Sequence, residues 1–339
     1  MVERGECCTF AISKPETCMA QGNQVKNGKA FEYAIAKVYC EHINQQGVNA
    51  LLVENEACVQ ARGYYEGFDE KERQKFDRAA SETIDTMTKI EPGLMAQKND
   101  SDVLSIYLQK DQEGENGDVR DVVFSRVRPQ WEIGFSAKNN NDAVKHSRLG
   151  RTLDFGKVWL DVPCSQGYWD SIKPVFEYIE ECVSQNLKWD DLGSAKREKV
   201  YIPLLQAFRV EMLRLAEGDA SVPARLVEYL IGNHPFYKII KDDAHHLVVV
   251  KAFNINGELN KTVNGVKARY TTPKINLPTR IVEFEMKQDS DTTLNMILDG
   301  GWEISFRLHN ASTMVERSLK FDIKLLGNPP VLFTQHLFQ

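Results

Sequence analysis

Residues 117–141 read GDVRDVVFSRVRPQWEIGFSAKNNN, with Asp121 at the entry of a short apolar run and Lys138 at the far end of the next segment. A carboxylate so placed can hold a divalent cation against a phosphate, and an ammonium group beside it can orient or deprotonate an attacking water. Together they suggest metal-dependent cleavage of a phosphodiester. Asp118 is a second candidate for the cation, but it falls in the turn rather than at the strand entry.

The elements that would position these groups follow from the pattern. Trp131, Ile133, Phe135 and Ala137 alternate with Glu132, Gly134, Ser136 and Lys138, so a strand would pack the first set and leave the second available for chemistry. Val122, Val123 and Phe124 read as a buried neighbouring strand, with Arg128 and Pro129 in the turn between them. Glu132 shares a face with Lys138, but six residues of strand separate them by roughly 20 Å, too far for one shared cation. Beyond Lys138, Asn140 leads into a basic stretch containing Lys145, His146, Arg148 and Arg151, which suits phosphate oxygens. In a helix the spacing of Lys145 and Arg148 would put both on one face.

The chain has 339 residues and 42% hydrophobic content, ample for at least one buried core. No apolar run of about 18 residues appears and the N-terminus lacks a signal-peptide pattern, so a cytoplasmic protein is expected. The seven cysteines include no CxxC pair and read as reduced thiols; Cys7, Cys8 and Cys18 with His42 match no usual zinc frame. If His245 and His246 lie in a strand they point to opposite faces and are poor co-ligands. A net charge of −6 speaks mildly against nucleic acid, yet residues 261–287 hold six Lys or Arg against Glu283 and Glu285. A polar protein with a basic cleft fits that distribution.

Residues 1–25 show no sustained periodicity and read as an arm. Asn27 can then cap a helix running to Gly47, with Phe31, Ile35, Val38 and Tyr39 as its apolar stripe and Glu32 beside it. Helices are expected over 54–66 and 68–97, then strands over 103–110, 121–126 and 130–138. Helices return between Ser165 and about Gly232, and beyond Pro235 the chain is strand-like, with Asn-Gly turns at 256 and 264. The fold class is α/β (α+β), a mixed central sheet flanked by helices with a β-rich C-terminal region, and no glycine-rich phosphate loop follows any strand. Three segments are expected: the arm (1–25), a helical and nuclease-core region (26–234), and a β-rich region (235–339) suited to DNA recognition.

Four blocks in order, NGKAFEYAIA from 27, GDVRDVVF from 117, WEIGFSAKNNNDAVKHSRL from 131 and ISFRLHNASTMVERSLKFDI from 304, resemble the HaeIII-type restriction endonucleases. The resemblance runs from about residue 25 to the C-terminus. It implies a restriction-endonuclease-like core of the PD-(D/E)XK superfamily, magnesium-dependent cleavage of double-stranded DNA, and a GGCC site as in the family's namesake. It also implies a DNA methyltransferase in the same system. On this analogy Asp121 ligates Mg²⁺, Lys138 serves the water and Asp118 is the rival ligand. The superfamily's acidic position two before the lysine is here Ser136, so the second carboxylate must come from elsewhere: Glu32 is the first choice and Asp154 the alternative. Arg307, His309 and Asn310 are candidates for reading base edges, because guanine is well read by bidentate Arg or Lys. Lys145, His146, Arg148 and Arg151 are candidates for phosphates. A palindromic site favours a homodimer, with a monomer nicking twice as the other arrangement. The rival class is a non-catalytic DNA-binding protein in which Asp121 and Lys138 form an ordinary salt bridge.

Overall fold

The computed structural model describes residues 16–110, 117–140, 143–145 and 147–338. His146 and the pair Cys7 and Cys8 lie outside the described residues, as does the side chain of Cys18.

The chain opens with helix α1 (Glu16–Gln45), a short strand β1 (Ala50–Leu52), and helices α2 (Glu56–Glu66) and α3 (Glu70–Ile90). Helix α1 starts well before Asn27, so Asn27 lies inside it rather than capping it, and the segment expected as an arm is helical from Glu16. No proline follows Pro15 until Pro92, and adding residues to an existing helix costs far less than nucleating one. Its stripe is otherwise as expected, with Phe31, Ile35, Val38 and Tyr39 all buried. Asn55 caps α2 by accepting from the Cys58 N–H at 2.8 Å, and its Nδ2 donates to the Leu108 carbonyl at 2.8 Å, pinning the helix start to the adjacent sheet.

Three strands follow: β2 (Leu104–Leu108), β3 (Val122–Arg126) and β4 (Trp131–Asn139). Lys145 and Arg148 do not share a helix. They lie in two short strands, β5 (Ala143–Lys145) and β6 (Arg148–Gly150), both paired to a distant strand, and that tertiary pairing overrides the local spacing. Helices α4 (Phe155–Leu160), α5 (Gln166–Ser184), α6 (Ile202–Gly218) and α7 (Val222–Ile231) come next. The C-terminal strands are β7 (Phe236–Asp242), β8 (Leu247–Phe253), β9 (Ile281–Met286), β10 (Thr293–Leu298), β11 (Glu303–His309), β12 (Ser318–Gly327) and β13 (Thr334–Phe338). His245 and His246 sit in the turn between β7 and β8.

Among the described residues the strands form two sheets. The first is mixed and seven-stranded, ordered β1-β2-β3-β4-β7-β8-β13; the second has the order β5-β12-β11-β10-β9, with β6 also on β12. Strands β3 and β4 are antiparallel, with Val122 opposite Phe135, whereas β4 and β7 run parallel, with Ser136 opposite Lys238. Strands after residue 235 contribute to both sheets.

Each face of the first sheet meets its own core. Phe124, Phe135 and Tyr237 pack with Tyr39 and the other buried residues of α1, α2 and α3. On the opposite face Phe236 and Phe253, stacked 4.8 Å apart, join the core built by α4–α7 and the second sheet around Phe208, Phe306 and Phe321. The alternation along β4 therefore separates an apolar face clamped by α1 from a face where polar side chains gather at the strand end.

Candidate active site

Strand β3 delivers Asp121 one residue before its first paired position. The Asp121 N–H donates to the Phe135 carbonyl at 2.7 Å, and its own carbonyl accepts from the Gln109 N–H at 3.0 Å, so the ladder on both sides holds its backbone. Asp121 Oδ2 in turn accepts from Ala137 N at 2.7 Å, Ser136 Oγ at 3.2 Å and Lys138 Nζ at 3.3 Å. Ser136, where the superfamily pattern has an acid, is thus a donor to Asp121.

Glu32 reaches this cluster from α1. It is 6% exposed, and Lys29, one turn earlier, pairs with its Oε2 at 3.0 Å. Burial pushes its carboxyl up to about 8, the negative charge of Asp121 adds to the effect, and the ammonium groups of Lys29 and Lys138 oppose it. Burial first and the Asp121 charge second disfavour the Glu32 carboxylate, and a divalent cation beside both would relieve that penalty. No group of three or more His, Cys, Asp or Glu suited to a metal gathers among the described residues. Two carboxylates nonetheless suit Mg²⁺, which usually keeps several waters and is held by one or two carboxylates plus substrate phosphate oxygens.

Asp118 and Asp154 have other employment. Both oxygens of Asp118 are taken by the Arg120 guanidinium, at 2.8 and 2.7 Å, and Oδ2 also accepts from Gln109 at 2.9 Å. Burial opposes its ionisation, but these donors hold it below the ordinary carboxylate range. Arg120 continues to Glu132 at 2.8 Å, which ties up the acid of β4 as well. The stem of Arg120 lies across Gly134, where a Cβ would come within 2.1 Å of Arg120 Cδ, so glycine is required there for close approach. Asp154 caps α4, accepting from Lys157 N at 2.9 Å and Cys164 N at 3.1 Å.

The proposed DNA contacts are scattered. Asn140 and Asp243 are reciprocally bonded, Asn140 Nδ2 to Asp243 Oδ2 at 2.7 Å and Asp243 N to Asn140 Oδ1 at 2.8 Å. Lys145 lies 3.8 Å from the centre of the Tyr229 ring, and Arg148 meets Ser318 at 2.8 Å and Glu316 at 3.5 Å. Asn310 Oδ1 accepts from Lys196 at 3.0 Å and Tyr201 at 3.1 Å, and His309 Nδ1 donates to the Asn310 carbonyl at 2.9 Å. Both therefore belong to a network at the end of β11. Arg307 and Arg151 are exposed.

Sequence reasoning did not single out Lys29, Gln109, Arg120 or Lys238. The i, i+3 spacing of Lys29 and Glu32 was a usable signal. Gln109 needed the β2–β3 register, and Lys238 the parallel pairing with β4. Lys238 is 3% exposed and lines, with Ser136 and Lys138, a small cavity of about 30 Å³ behind the site.

A carboxylate at the entry of one strand, an ammonium at the end of the next and a second carboxylate from the covering helix, on a mixed sheet flanked by helices, suit the chemistry of a nuclease. The family model described as HaeIII restriction endonuclease matches residues 28–329, and the chain belongs to that family. It is 39% identical over 307 residues to the type II restriction enzyme HaeIII of Haemophilus aegyptius, covering 90% of this chain and 95% of that protein. No solved structure matches the chain. No helix among the described residues is long and apolar enough to cross a membrane.

Proposed function

We propose that this type II restriction endonuclease cuts double-stranded DNA with Mg²⁺ held by Asp121 and Glu32, and with Lys138 serving the attacking water. The observation that carries this reading is the convergence of Glu32, Asp121 and Lys138 from a helix and two adjacent strands. The site is assembled by the fold rather than by a contiguous motif.

The cation, when bound, would lower the pKa of water and stabilise charge on the scissile phosphate. The chain's own residues do the positioning. Ala137 N and Ser136 Oγ orient the Asp121 carboxylate, and Lys29 orients that of Glu32. Lys138 Nζ, beside Asp121, is placed to hold or accept a proton of the water that attacks phosphorus in line, giving 5′-phosphate and 3′-hydroxyl ends. Arg120 acts at a remove, fixing Asp118 and the turn that leads into β3.

Kinship supports GGCC as the cognate site and a methyltransferase as companion; two-fold action on a palindrome supports a homodimer. Residues 235–339, carrying Arg307, are our choice for base recognition, with Lys145, Arg148 and Arg151 as phosphate contacts, and DNA as substrate supports a cytoplasmic location. Incubation with plasmid and Mg²⁺ tests the reading. Discrete fragments that vanish on chelation and in Lys138→Ala support it, whereas binding without cleavage would favour the non-catalytic alternative.

A further inference from the structure

On the α1 and α2 side of the catalytic cluster lies a cleft of about 600 Å³, lined among others by Lys29, Glu56, Gln60, Gln109 and Lys110. Two of its lining residues bond to the site. Lys29 holds Glu32 at 3.0 Å, and Gln109 stands directly across from Asp121, donating its backbone N–H to the Asp121 carbonyl at 3.0 Å. Its wall is the first turn of α2, fixed to the sheet by Asn55. Across the mouth the Lys110 ammonium, on a side chain 58% exposed, pairs at 2.6 Å with Glu56, itself 81% exposed.

We propose that this cleft takes the sugar-phosphate backbone of the cut strand next to the scissile phosphate, and that Lys110 is a phosphate contact which exchanges Glu56 for DNA on binding. The proposal rests on the nuclease reading above and adds where the strand runs. Three observations favour it: two residues that line the cleft, Lys29 and Gln109, bond to Glu32 and to the Asp121 backbone, its size suits a nucleotide-sized group, and it carries two lysines, Lys29 beside Glu32 and Lys110 at the exposed rim. An ion pair this exposed adds little to folding, so Lys110 can change partners at small cost.

The sign of two substitutions separates this from a mere strut between α2 and the sheet. If the pair only braces the fold, Lys110→Gln and Glu56→Gln act alike. If Lys110 meets phosphate, Lys110→Gln weakens binding while Glu56→Gln, which frees the ammonium, strengthens it. The measurement is binding of short duplexes with and without GGCC, over a salt series, with Ca²⁺ replacing Mg²⁺ to hold the DNA intact. Expected for Lys110→Gln is a salt slope smaller by about 0.9 and an equal loss for both duplexes, since a backbone contact carries no sequence information. An unchanged slope, or equal effects of the two substitutions, overturns the proposal while plasmid cleavage by the wild type leaves the nuclease reading standing. Wild-type protein that neither cuts with Mg²⁺ nor binds in this assay would remove both.

Discussion

The ammonium of Lys138 lies 3.3 Å from Asp121 Oδ2, and the Ala137 N–H lies 2.7 Å from that same oxygen. The pair is held by strand register, since Asp121 continues the β3–β4 ladder one step past Val122 and Phe135. A side chain anchored this way stays in position when its neighbour is truncated, which makes the substitutions below informative.

Lys138→Ala should lower single-turnover cleavage by about 10²–10⁴-fold, the usual range for a positioned proton-transfer group, with DNA affinity nearly unchanged. Gel analysis of pre-bound duplex after Mg²⁺ addition reads it. A variant that still cuts at the wild-type rate would take Lys138 out of the mechanism.

Glu32→Gln should abolish cleavage yet leave a folded protein. Because the folded Glu32 carboxyl is raised from the ordinary 4.5 to about 8, its contribution to stability is fully present below pH 4.5 and lost as pH rises through 8. Mg²⁺ binding only to the native state offsets that loss. Thermal melts at about pH 9 should rise with Mg²⁺ in the wild type and hardly at all in Glu32→Gln; equal shifts in both would detach Glu32 from the metal.

Asp118→Asn tests the rival ligand. With the Arg120 guanidinium left with Glu132 as its one charged partner, a loss of about 1–3 kcal/mol in denaturant stability is expected, while folded protein still cuts. Cleavage lost at unchanged stability would move the metal to Asp118.

Glu91 offers a pH test away from the site. It is fully buried, accepting from Tyr237 Oη at 2.5 Å and Asn260 N at 2.6 Å, and burial pushes its carboxyl up to about 7 despite those donors. Its stabilising contribution is complete below pH 4.5 and disappears as pH rises through 7, a change of roughly 3 kcal/mol by linkage. Urea melts of Glu91→Gln should show a shallower fall in stability between about pH 5 and 8 than the wild type; parallel curves would contradict the assignment.

Several features were legible in the sequence alone. The alternation along Trp131–Lys138 predicts which face is clamped and which carries chemistry, because side-chain direction in a strand depends only on parity. The apolar run after Asp121, the stripe of α1 and the four family blocks likewise needed no coordinates. Asp118 was harder to judge: Arg120, two residues on, is visible in the sequence, but only the folded turn shows both carboxylate oxygens consumed.

What the tertiary structure decided was which distant groups meet. Glu32 comes within electrostatic reach of Asp121 because α1 packs across β2, β3 and β4, and neither helical nor strand periodicity states which helix covers which strand end. Lys145 and Arg148 lie in strands rather than on one helical face because β12, far along the chain, offered backbone partners. Local pattern determines the direction a side chain points; long-range pairing and burial determine what stands opposite it, and this site consists of such oppositions.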